Sequence, residues 1–172
     1  MKYQRPEGKS GGHGVGWTEV ERYSFKVPQG WDEVPVSIAD LGGTEIDMRY
    51  YSPEQGKLLV VVAPVARFKD IPFNTSVTIK DLGSPEVLIS GFAPELYGEP
   101  LGEEDILDVQ EVTKDGQPYY IYELSRHRLV SAAATGNRLY IMSVNAKSIQ
   151  WRKHSADLLN IRNSFTVPLK EL

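Results

Sequence analysis

The chain has 172 residues, of which 41% are hydrophobic and 24% charged, an ordinary composition for one domain that builds its own core. A formal charge of −4 argues against nucleic acid as a general partner, and no apolar run approaches the roughly 18 residues of a membrane-spanning helix. The absence of cysteine excludes a structural disulfide, a thiolate metal site and a cysteine nucleophile together.

Residues 1–16 are rich in glycine (Gly8, Gly11, Gly12, Gly14, Gly16), with Lys2, Arg5 and Lys9 making the segment basic. So little apolar content does not offset ordering entropy, and a flexible tail is expected over 1–16, ahead of a single domain over 17–172. The segment has no apolar stretch of the kind a leader peptide needs, so a targeted protein is expected here in its mature form. Residues 23–27 alternate as a half-buried strand, and Pro28-Gln29-Gly30 turns the chain into Trp31. Residues 44–51 read as a second strand, with Ile46, Met48 and Tyr50 on one face and Glu45, Asp47 and Arg49 on the other. Residues 58–63 are continuously apolar, as in a central strand covered on both faces.

Ser84-Pro85-Glu86 is a helix start: a capping hydroxyl, a proline suited to the first turn and an acid at the positive end of the dipole. Leu88, Phe92 and Leu96 form its core-facing stripe, and Pro94 predicts a kink or break at Ala93. The second half reads as an antiparallel meander over 106–113, 119–124, 129–135 and 139–144, with Asp115-Gly116 and Gly136-Asn137 as hairpin turns. A last helix is expected over 148–163, burying Trp151, Leu158, Ile161 and Phe165 and leaving Arg152, Lys153 and Arg162 solvated. The fold class is therefore α+β, an antiparallel sheet with helices packed on it.

No catalytic constellation emerges. The nucleophile elbow, the phosphate-binding loop and the zinc-protease helix are all missing. Gly14 and Gly16 neither follow a strand nor open a helix, so they are no dinucleotide fingerprint, and Gly42-Gly43 reads as a turn. His13, His127 and His154 are placed in the tail, at a strand start and on a helix, and nothing in their spacing unites them. Glu103, Glu104 and Asp105 form an acidic run whose oxygens suit a hard cation, and with His127 they are the weak metal candidates, for calcium, manganese or zinc. A basic cluster is the stronger signal. Arg126, His127 and Arg128 begin one strand, while Lys147, Arg152 and Lys153 follow the strand that pairs with it. A hairpin closed at Gly136-Asn137 gathers these groups at its opposite end, where they are expected to form an electrostatic dock for an acidic surface.

Several segments resemble the PsbP family. Residues 23–31, reading YSFKVPQGW, resemble its opening strand, and DLGSPE over 81–86 its helix start. GQPYYIYE over 116–123 resembles its Gly-x-x-Tyr-Tyr hairpin strand. The His127 strand, the segment 136–140, Trp151 and Ser164-Phe165 then fall in the family's order. The resemblance covers about 17–167. It implies an α/β/α sandwich around an antiparallel sheet, residence in the chloroplast thylakoid lumen and a non-catalytic role on the lumenal face of a photosystem. Photosystem II is favoured, and the alternatives are a photosystem I assembly or auxiliary factor and a calcium or manganese carrier module. The founding family member pairs the histidine matched by His127 with an acidic residue three before the tryptophan, where this chain has Ser148. The tail also differs from that member's docking arm. Both departures imply a paralogue rather than the oxygen-evolving subunit itself.

Overall fold

The structure, a computed structural model, describes residues 1–6, 20–36, 45–70 and 77–169. Its strands are β1 (Lys2–Gln4), β2 (Ser24–Lys26), β3 (Asp32–Val34), β4 (Ile46–Ser52), β5 (Gly56–Pro64), β6 (Ile106–Lys114), β7 (Gln117–Leu124), β8 (Arg128–Thr135) and β9 (Arg138–Asn145). Its helices are α1 (Pro85–Tyr97) and α2 (Ser148–Ser164). Seven strands form one sheet in the order β3-β4-β5-β9-β8-β7-β6, and β1 with β2 forms a small second sheet. Every pairing is antiparallel.

Turn chemistry sets the hairpins. Asp115 and Gly116 take φ of 50° and 80° between Lys114 and Gln117, the mirror-image turn that matches strand twist. Gly136 takes φ 59° between Thr135 and Arg138 and joins β8 to β9. β5 lies between β4 and β9 and is covered on both faces. Leu58, Val60 and Val62 enter one core with Tyr23, Phe25 and the buried face of α2, while Val61 and Ala63 enter the other with Leu88, Ile89 and Phe92 of α1. A helix on each side of an antiparallel sheet is the α/β/α sandwich expected.

Several expectations need correction. The first six residues belong to the fold. Tyr3 pairs with Phe25 and stacks on its ring at 5.0 Å, and the Met1 amine donates to the Val27 carbonyl at 3.0 Å. Arg5 is fully buried and grips Asp47 with two N–H groups, at 2.8 and 3.0 Å, while the Tyr23 hydroxyl donates to the same carboxylate at 2.5 Å. The remainder of the expected tail, with His13, and the Gly42-Gly43 turn lie outside the described residues. In β4 a bulge between Ile46 and Met48 shifts the register, so the two do not share a face: Ile46 faces the α1 core and Met48 the α2 core, and Asp47 between them is buried. α1 runs unbroken through Pro94. In the last turn, a proline forfeits one bond, and the residue facing it, Ser90, is exposed, where water can take the freed carbonyl. Arg162 is buried, not solvated: its guanidinium donates to the Tyr122 carbonyl at 3.1 Å, and burial lowers its pKa. Trp31 is core, with its indole N–H on Gln55, whereas Trp151 is only half-buried.

Candidate docking site

One end of the sheet collects three segments. They are the β4–β5 turn, the β7–β8 turn and the link from β9 into α2. Lys57, Asn145 and Arg128 stand side by side on β5, β9 and β8. The β7–β8 turn is Ser125-Arg126-His127, in which Arg126 and His127 take φ of 60° and 56°. Left-handed backbone at two successive non-glycine residues is uncommon and persists only where the surroundings fix it. Here the Ala146 N–H donates to the His127 carbonyl at 3.1 Å, and the Ser125 N–H and hydroxyl both donate to Asp105, at 2.7 Å each. His127 is thus a turn residue, not the first residue of a strand.

The His127 ring lies flat on Trp151, with centroids 5.2 Å apart and planes 16° from parallel. Trp151 sits at the start of α2, and two contacts hold that start in place. The Lys147 backbone N–H donates to Gln150 Oε1 at 2.8 Å, and the Gln150 amide reaches the Pro53 carbonyl at 3.2 Å. No acid occupies the first turn of α2. Lys147 stands at its N-cap, so the positive end of the helix dipole is reinforced rather than offset. Lys147, Arg152 and Lys153 are exposed and make no ion pair among the described residues, and exposed Ile149 lies among them.

The six basic-cluster residues therefore divide. Lys147, Arg152, Lys153 and the His127–Trp151 pair form an open cationic and aromatic surface. Arg126 is exposed but bonded to Glu99. Arg128 is buried on the other face: it donates to the Ser125 carbonyl and hydroxyl at 2.8 and 3.0 Å and lies 4.6 Å over the Tyr97 ring. Residues two apart on a strand share a face, so a strand starting at 126 groups Arg126 with Arg128; the left-handed turn at Arg126 and His127 takes Arg126 off the strand and sends the two to different surroundings. It placed Trp151 wholly in the core because it did not foresee the histidine that covers one side of the ring. Glu99 was missed altogether, since it approaches Arg126 from the loop after α1.

The metal candidates do not converge. Glu103 and Glu104 are exposed on a short 3₁₀ turn, and Asp105 already accepts from the Gly102 N–H at 2.9 Å and from the Ser125 hydroxyl. These hydrogen bonds, the hydroxyl's first, hold the Asp105 carboxyl below its ordinary pKa. His127 is stacked on Trp151 instead of turning toward them. Among the described residues no three His, Asp or Glu side chains are grouped to hold an ion, so these residues do not fit a built cation site.

Comparison with known proteins gives this geometry its context. A family model, PsbP, matches residues 18–167. The chain belongs to the PsbP family. It is 50% identical over 166 residues to PsbP domain-containing protein 4, chloroplastic, of Arabidopsis thaliana, covering 96% of this chain and 63% of that protein. It is 28% identical to the thylakoid lumenal 19 kDa protein, chloroplastic, of the same plant, covering 92% of this chain and 66% of that one. The chain thus spans somewhat under two thirds of the length of these relatives. The solution structure of cyanobacterial PsbP (CyanoP) from Synechocystis sp. PCC 6803 matches with a TM-score of 0.63 over 98% of this chain and 92% of that one. At 18% identity that likeness shows the fold. The chain is a PsbP-like paralogue of the chloroplast thylakoid lumen. Among the described residues no helix is long and apolar enough to cross a membrane.

Proposed function

We propose that this PsbP-like protein is a non-catalytic extrinsic protein that docks on the lumenal face of a photosystem and supports its assembly, stability or oxygen evolution, with photosystem II the favoured partner. The observation that carries this reading is the start of α2. A chain of net charge −4 presents Lys147, Arg152 and Lys153, which make no ion pair among the described residues, beside a half-exposed tryptophan braced by His127. Like charges set together at a helix N-terminus cost stability in the free protein. An acidic partner surface would turn that cost into attraction, steering encounter from a distance. Trp151 adds what the charges lack, an apolar area of the kind that carries interface energy once water is excluded.

The test is reconstitution of the purified protein with stripped thylakoid membranes, followed by native electrophoresis to identify the complex it joins. Binding should weaken steeply as salt rises, and Arg152→Glu with Lys153→Glu should slow association at least tenfold at low salt while leaving the fold intact. Co-migration with photosystem I alone would move the role to an auxiliary factor of that complex. Salt-insensitive binding would reject the cationic dock.

A further inference from the structure

On the other face of the same sheet end, beyond the last turn of α1, the structure holds an open cavity of about 360 Å³. Its volume falls within the range typical of small-molecule sites, about 300–1,000 Å³. The apolar part of the wall includes Ile46, Leu59 and Leu96, and the polar part includes Arg49, Lys57 and Asn145, with Ser143 beneath. No Asp or Glu lines it among the described residues.

The polarity of the floor has a direction. Burial pushes the Tyr97 phenol up to about 12, so it stays protonated at neutral pH. The Ser143 hydroxyl lies 2.8 Å from the Tyr97 hydroxyl and donates to Asn145 Oδ1 at 3.2 Å. Because Ser143 spends its one proton on Asn145, Tyr97 must donate to Ser143. Asn145 then has its carbonyl oxygen engaged and its two N–H donors without a partner among the described residues. Lys57 adds three more donors and a full charge, is exposed, and makes no ion pair among the described residues. Arg49 lines the same cavity. The charge of Lys57 and the donors of Asn145, facing an apolar wall, select against cations and reward an acceptor carrying negative charge.

From this geometry we infer that the cavity is a binding site for a small amphipathic anion, a carboxylate or similar oxyanion on a compact apolar body, held by Lys57 and Asn145 at the charge and by Ile46, Leu59 and Leu96 at the body. The site is separate from the dock on α2. It shares no side chain with that surface, and it needs no photosystem.

Three probes with one body and different charge test this: 3-phenylpropanoate, 3-phenylpropan-1-ol and 3-phenylpropylamine, titrated into the isotope-labelled protein and followed by amide chemical shifts. The acid should bind about tenfold more tightly than the alcohol, as one charge-assisted hydrogen bond of about 1.4 kcal/mol requires. The amine should bind most weakly, and the shifts should centre on Leu59, Leu96 and Ser143. Lys57→Gln, a change at an exposed side chain, should bring the acid down to the level of the alcohol. Asn145→Asp, which replaces two donors with a negative charge, should favour the amine. Equal affinity for all three probes, shifts centred on Lys147 and Arg152 instead, or an acid affinity indifferent to Lys57→Gln would each overturn the inference.

Discussion

The molecule uses its cations in two ways, and the contrast between Arg5 and the α2 start separates fold from function. Arg5 is wholly buried and meets the Asp47 carboxylate with two N–H groups, while its carbonyl accepts from Arg22 at 3.1 Å. A charge there is tolerable only because it is paired and hydrogen-bonded. Arg128 and Arg162 follow the same rule with backbone carbonyls as partners. At the other extreme Lys147, Arg152 and Lys153 stand in solvent and make no ion pair among the described residues, so they contribute almost nothing to folding. Cations with built partners hold the sandwich together. Cations without them are available to another molecule.

The sharpest way to break the comparison is to unpair the buried side. Asp47→Ala removes the buried carboxylate that Arg5 and Tyr23 both donate to and should cost roughly 3–5 kcal/mol. A fall of the order of 10 °C in melting temperature is expected for a chain of this size. Removing residues 1–6 should destabilise similarly, because it strips Asp47 of its cation and β2 of its partner strand. A shift below about 2 °C in both would mean that the clamp is dispensable. Trp151→Ala comes next, at about 2 kcal/mol, less than the 3–5 of a fully buried tryptophan, because half of the ring already faces solvent and His127. Denaturant unfolding measures this, and a full core-sized loss would return Trp151 to the interior.

Reversing the exposed charges should change folding by less than about 0.5 kcal/mol, or improve it slightly by relieving the positive charge at the helix start. The smallest effect concerns pH. The Asp105 carboxyl is held low by Ser125 and Gly102, so its contribution is present above the ordinary carboxylate range and is lost as pH falls through its depressed folded-state value. Ser125→Ala should flatten the acid limb of the stability curve and leave neutral pH nearly unchanged. An unaltered acid limb would mean that this hydrogen bond does not hold the turn. Calcium, manganese and zinc titrations should show weak binding at most, since Asp105 is engaged by the turn. A stoichiometric nanomolar site would contradict that.

Local chemistry was legible in the sequence. Asp115-Gly116 and Gly136-Asn137 specify turns by backbone preference, the Ser84 hydroxyl caps α1 as read, and the run at 58–63 announces a strand covered twice. What escaped was settled at long range. Lys2-Tyr3-Gln4 carries no apolar pattern, and it becomes a strand because Arg5 finds Asp47 42 residues away. The Asp47 bulge is invisible in an alternating sequence because the extra residue preserves the pattern while changing the face. The docking cluster was half legible: chain order placed its members at one sheet end, but which side each one faces depends on the left-handed turn at Arg126 and His127 and on α1 packing beneath Arg128. The cavity drew no notice because Lys57, Asn145 and Leu96 come together only once β5, β9 and α1 are assembled.

The central claim is that Lys147, Arg152 and Lys153 dock this lumenal protein, and the association rate with stripped thylakoid membranes tests it most directly. Wild-type protein and the Arg152→Glu, Lys153→Glu double variant would be compared across a salt series after both are shown to unfold alike. The account predicts fast, salt-sensitive association for the wild type and, for the variant, an association at least tenfold slower at low salt that changes little as salt rises. Equal association rates for the two proteins at every salt concentration would contradict it.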